Sequence, residues 1–160
     1  MNSNFEMEFE SIVKPNHLIL GRIGERLAAD YLIHQKYRIV ATNFSLPIGQ
    51  SRNGRPITGE IDLVAYDESS KPFILAFIEV KTRTSSDIAT PEAAVDLRKQ
   101  RNIIRAARLY RRLMAVEEEP YRFDVVSILA GANNKAHISL LRDYFTEQRY
   151  ASIGRGGKDL

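Results

Sequence analysis

Apolar residues recur at helical spacing from Leu20 to Gln35, where Ile23, Leu27 and Tyr31 are flanked by Ala28 and Leu32. That pattern predicts an amphipathic helix. Tyr37 to Phe44 alternates as a first strand. The run LPIGQSRNGRPIT, Leu46 to Thr58, is rich in Gly, Pro and Asn and reads as a long polar loop. Thr58 to Tyr66 returns to strand alternation, with Ile61, Leu63 and Ala65 expected on one face and Glu60, Asp62 and Val64 on the other. After the turn Asp67 to Lys71, Pro72 opens FILAFIEVKTR. Its nearly continuous apolar part predicts a central strand covered on both faces. So short a turn makes these two strands an antiparallel hairpin.

A long amphipathic helix is expected from Pro91 to Val116, with Thr90 as cap and Pro91 in the first turn. Ile103, Ala106, Ala107, Tyr110, Leu113 and Met114 form its buried stripe, and Arg98, Arg101, Arg105, Arg108 and Arg112 the opposite face. Arg122 to Leu129 and Ala136 to Leu141 are the last strands. Residues 1–18 have no clear period and read as an N-terminal extension, 19–146 as one domain, and 147–160 as a flexible tail. The expected fold class is α/β: a mixed sheet between an N-terminal helix and a long basic helix.

Composition narrows the function classes. The 160 residues contain 44% hydrophobic and 27% charged side chains, as in ordinary globular domains. The chain has no cysteine, which excludes disulfides and thiolate metal sites and fits a cytoplasmic location. No apolar run approaches the ~18 residues of a membrane span, so no membrane partner is expected. The N-terminus lacks the apolar core of a secretory signal. His17, His34 and His137 stand too far apart to suggest metal spacing, and GRIGE lacks the strand and the Lys-Ser/Thr of a phosphate loop. Net charge is only +3, but Pro91 to Val116 holds seven basic residues against two acidic ones. That surplus of five leaves the rest of the chain net acidic, and an acid-free arginine face favours a nucleic-acid partner over a merely solvated one.

The chemistry concentrates in GEIDL and IEVKTR. Residues two apart on a strand point the same way, so Glu79 and Lys81 share a face, as do Glu60 and Asp62. A charge in so apolar a strand must be paired or hold a cation. Two readings stay open on local chemistry: a structural Glu79–Lys81 pair, or a hard-cation site in which Asp62 and Glu79 suit Mg²⁺ or Mn²⁺. Arg122 and Asp124 read as a structural pair, and Tyr37, Phe44 and Tyr66 as core.

An Asp seventeen residues before Glu-x-Lys resembles the PD-(D/E)xK nucleases, of restriction-endonuclease-like fold. The ordered blocks GRIGERLAADYL, GEIDLVA, FIEVKTRTS, AVDLRKQRNIIRAARLY, RFDVVSI and LRDYF resemble the YraN-like family, similar in fold to Holliday-junction resolvases. The resemblance implies a restriction-endonuclease-like three-layer core and Mg²⁺-dependent (or Mn²⁺-dependent) hydrolysis of structured DNA, with RNA the alternative. It implies Asp62 and Glu79 as metal ligands and Lys81 as the catalytic lysine. It further implies Glu25 as a helix glutamate aimed at the site, and Gln100 as the polar residue that follows the motif. Lys99 is an equal candidate for phosphate contact. Glu25 also reads as a solvated helix charge, and Glu60 as a structural residue. A resolvase-like role implies a homodimer, since two cuts need two sites. The loop before GEID is longer than the family's, and residues 1–18 have no counterpart in it. Competing classes are a non-catalytic nucleic-acid-binding module and a DNA-processing adaptor.

Overall fold

The computed structural model of the chain describes residues 7–8, 17–84, 95–131 and 135–148. Their order is β1 (Met7–Glu8), α1 (His17–His34), β2 (Tyr37–Gln50), β3 (Pro56–Asp67), β4 (Ile74–Thr84), α2 (Leu97–Leu113), β5 (Tyr121–Ala130) and β6 (Lys135–Phe145). The strands form one mixed sheet in the order β1-β6-β5-β4-β3-β2. Only β4 and β5 run parallel, joined through α2; the other neighbours are antiparallel.

A helix covers each face, which gives the expected three-layer α/β core. Leu27, Ala28 and Leu32 of α1 pack on Leu63, Ala65, Ile78 and Val126. Ile103, Ala107 and Tyr110 of α2 pack on Ile61, Val64, Phe77 and Val125. In β4, Leu75 to Ile78 are wholly buried, as a strand covered on both sides requires. Gly24 lets α1 approach β4: a Cβ there would lie 1.8 Å from Thr82 Oγ1. Tyr37 is buried, and Phe44 and Tyr66 pack against the α2-side core, so all three serve the core.

Several expectations are corrected. The run Leu46 to Thr58 is mostly strand: β2 and β3 pair out to Gln50↔Pro56, leaving only a tight turn. Leu46 and Ile48 alternate inward onto the α2-side core, which the Gly and Pro between and beside them disguise. The faces of β3 also differ from strict alternation. Ile61 belongs to the α2 side with Val64, while Leu63 and Ala65 face α1, so the strand changes parity near Asp62.

The long helix begins at Leu97, because Asp96 is extended (φ −69, ψ 161) and its carboxylate accepts the Lys99 N–H as N-cap. The expected cap Thr90 and first-turn Pro91 lie outside the described residues. The helix ends at Leu113 in a Schellman arrangement. Ala115 is left-handed (φ 55), and the Val116 N–H donates to Arg111 O at 2.9 Å. Leu113 and Met114 therefore fall outside the buried stripe, at 67% and 52% exposure. Within the expected extension, Met7–Glu8 pairs with β6, and β6 itself runs longer than Ala136 to Leu141.

Candidate functional site

Ladder pairing between β3 and β4 stops at Leu63↔Ile78, where β3 changes parity. Beyond that rung the two strands diverge, and Asp62 bridges the gap: its Oδ2 accepts the Val80 N–H at 2.7 Å. Glu79 faces α2, on the same side as Phe77, and is 8% exposed. The split thus sets two carboxylates side by side midway along β4, where its β3 edge comes free, beside the first turn of α2.

Lys99, in that first turn, sends its Nζ to 3.3 Å from Glu79 Oε2. The approach lies off the hydrogen-bonding direction, so Oε2 is buried without a hydrogen-bond partner. Burial and the neighbouring Asp62 carboxylate push the Glu79 pKa up to about 8, against the pull of Lys99. Burial disfavours the Lys99 ammonium, yet Glu79 and Asp62 outweigh it and its pKa is raised. Two carboxylates share one ammonium, so the cluster keeps a proton on Glu79 at neutral pH. It is one positive charge short.

The donor set fits a hard divalent cation: carboxylate oxygens from Asp62 and Glu79, one of them buried and unbonded. Among the described residues no three carboxylates or imidazoles gather closely enough to hold a metal alone, so water or substrate oxygens would complete the shell.

Lys81 is exposed on the face of Glu79 and makes no ion pair with a described carboxylate. Its charge instead helps hold the Asp96 carboxyl low, after the larger effect of the bond from the Lys99 N–H. The partner of Glu79 is therefore Lys99 and not Lys81. Gln100 is buried, and its Nε2 donates to Val95 O at 2.8 Å, which ties the entering chain to the helix. Glu25 is half-buried on α1, the layer across the sheet. Glu60 is exposed and adds its charge to the field at Lys99.

The arginine face divides. Arg108 binds Glu147 Oε2 through Nε (3.0 Å) and Nη2 (2.6 Å), and Arg112 lies 3.8 Å from Glu117. Arg98, Arg101 and Arg105 are exposed, and neither Arg101 nor Arg105 has an ion pair to a described carboxylate. The basic surface is thus the half of α2 nearest the carboxylates. The role of Lys99 had a signal in the sequence: Lys99, Ile103 and Ala107 stand at helical spacing, which puts the ammonium in register with the buried stripe.

No helix among the described residues is long and apolar enough to cross a membrane. Residues 24–128 match the family described as "Uncharacterised protein family UPF0102". A UPF0102 protein of Koribacter versatilis is 42% identical over 132 residues, covering 82% of each chain. One of Solibacter usitatus is 44% identical over 125 residues, 78% of this chain and 84% of that one. One of Symbiobacterium thermophilum is 38% identical over 126 residues, 79% and 95% of the two chains. The chain belongs to the UPF0102 family, the YraN-like group to which its motifs pointed.

Proposed function

We propose that the chain is a metal-dependent endonuclease that hydrolyses phosphodiester bonds in DNA. The observation that carries the reading is the charge-deficient cluster: Asp62 and Glu79 together, one ammonium between them, and a buried Glu79 oxygen with no hydrogen bond. Asp62 and Glu79 would hold Mg²⁺ or Mn²⁺. Such a cation supplies Lewis-acid polarisation of the phosphate and a lower pKa for a coordinated water.

The remaining roles belong to the chain. Lys81, exposed on the strand that carries Glu79, orients the attacking water and stabilises charge developing on the phosphate. Lys99 offers its ammonium to a substrate phosphate once Glu79 has another counter-charge. Arg98, Arg101 and Arg105 hold the strand through its phosphates. Arg108 and Arg112 contribute less, because each already faces a carboxylate. Gln100 positions the first turn of α2. Branched DNA cut by a homodimer is what the resolvase resemblance implies, and the absence of cysteine fits a cytoplasmic setting.

A non-catalytic nucleic-acid-binding module is the second reading, favoured by the partial neutralisation of Glu79 that Lys99 provides. Calorimetric titration of Mn²⁺ and Mg²⁺ into the wild type, Asp62→Ala and Glu79→Ala separates the two. The nuclease reading expects binding that both variants lose. It also expects metal-dependent cleavage of branched or single-stranded DNA that Lys81→Ala abolishes without loss of DNA affinity. A wild type that takes up metal only with non-cleavable DNA present keeps the reading; one that never binds metal or cuts leaves the binding module.

A further inference from the structure

We propose that the β2–β3 hairpin is an arm that enters the major groove of B-form duplex DNA, with Arg52 and Arg55 at its tip on phosphates. The partner class rests on the nucleic-acid reading above; the arm itself rests on separate geometry. Rungs between β2 and β3 continue from Thr42↔Leu63 to Gln50↔Pro56, whereas β3 leaves β4 after Leu63. Among the described residues, the two strands from Phe44 and Ile61 outward are therefore a ribbon paired only to each other, roughly 20 Å long at ~3.3 Å per residue.

The ribbon is seated. Gly59 lies against α2 so closely that a Cβ would meet Ala106 Cβ at 2.9 Å and Asn102 O at 3.2 Å. Its tip is closed by the Ser51 N–H donating to Arg55 O at 2.7 Å and the Arg55 N–H donating to Ser51 Oγ at 3.1 Å. Gly54, at φ 72, turns the chain there.

Charge identifies the occupant. No carboxylate occurs between Asp30 and Glu60, a stretch that includes all of β2 and the turn. Arg52 and Arg55 are exposed and have no ion pair to a described carboxylate. Ser45, Gln50 and Thr58 on the ribbon are exposed, polar and uncharged. Where the ribbon crosses α2, exposed Arg101 and Arg105 are the sequence neighbours of Asn102 and Ala106. Apart from exposed Glu60 at its base, paired with Ser45, the ribbon carries no carboxylate, and such a surface suits a polyanion. The B-form major groove, ~12 Å wide, admits a two-stranded ribbon, whereas that of A-form RNA is too narrow for side chains to read. The ribbon therefore selects duplex DNA over duplex RNA.

The test is fluorescence anisotropy of duplex DNA, the matching duplex RNA and the single strand, in chelator and across a salt series. The proteins are the wild type and the double variant Arg52→Gln/Arg55→Gln. The wild type is expected to bind duplex DNA most tightly. The variant is expected to lose that preference, and its slope of log affinity against log salt on duplex DNA should flatten by about 1.8, as two lost phosphate contacts require. An unchanged slope overturns the arm while leaving the nucleic-acid reading standing. Equal losses on duplex RNA and duplex DNA also overturn it, since the arginines would then act as general cations. A wild type that binds no nucleic acid removes both.

Discussion

Two carboxylates that face one ammonium cannot both ionise cheaply inside a protein, and at residue scale this governs Glu79. Burial, then Asp62, push its pKa up to about 8 from an ordinary 4.5. The native state thus binds a proton through the window from about 4.5 to 8 that the unfolded chain has released. Stability from this group is full below that window and is lost as pH rises through it. Glu79→Gln keeps the uncharged form at every pH. It should unfold at a higher midpoint than the wild type at pH 8, by on the order of 5 °C, with the gap closing towards pH 5. Thermal melts at the two pH values measure the gap. Parallel pH profiles for both proteins would mean that Glu79 is not held protonated and that the cluster lacks no charge. The pair itself was legible from the sequence, because strand alternation and the spacing of GEID and EVK bring Asp62 and Glu79 together. Lys99 carried only the signal of its helical spacing with Ile103 and Ala107, which does not say what its ammonium meets. That it meets Glu79 depends on how α2 packs on the sheet, a tertiary contact that helical spacing does not encode.

At the scale of elements, the glycine that joins ribbon to helix is the sharpest constraint. A methyl at Gly59 would meet Ile48 Cγ2 at 2.7 Å, Ala106 Cβ at 2.9 Å and the Asn102 carbonyl oxygen at 3.2 Å. Ile48 can turn away, but the two α2 atoms belong to a packed helix. Gly59→Ala should therefore cost about 1–3 kcal/mol, the usual range for overpacking, read from urea unfolding. A neutral result would show that the ribbon lifts freely off α2. Helix and strand identities were readable wherever the apolar period was long, as in α1, β4 and the middle of α2. The ribbon was not, because its outward positions carry Pro47 and Gly49 and its turn carries Asn53 and Gly54, all of which signal loop. Only the inward pair Leu46 and Ile48 marked it as a strand. The parity change at Asp62 was equally hidden, since it arises where β3 parts from β4, a tertiary event that local alternation does not encode.

Across the whole molecule, the sheet separates two polar clusters with different work. Asp124 aligns with Ile78, whose side chain faces α1, and the next pair along, Glu79 with Val125, faces α2. On the α1 side the wholly buried Asp124 accepts bonds from Arg122 Nε at 2.8 Å, Tyr37 Oη at 3.2 Å and the Asp143 N–H at 2.9 Å. Arg122 also reaches Asp67 at 2.6 Å. Charges and hydrogen bonds are matched there, in contrast to the unbonded Glu79 oxygen across the sheet. Matched buried charges specify how strands meet, and an unmatched one invites a ligand. Asp124→Ala would strip Arg122 of one carboxylate and leave buried donors without acceptors, a loss of roughly 3–5 kcal/mol. The folded protein should nevertheless bind Mn²⁺ as the wild type does, since no ligand or α2 contact is touched. Glu79→Gln should do the reverse, losing the metal while melting no lower. Melting curves and Mn²⁺ titrations on the two variants, run below the melting point of the weaker one, give a two-by-two outcome. If Asp124→Ala weakens metal binding as much as it weakens the fold, the two faces are coupled through the one-residue step from Ile78 to Glu79, and the division of labour fails.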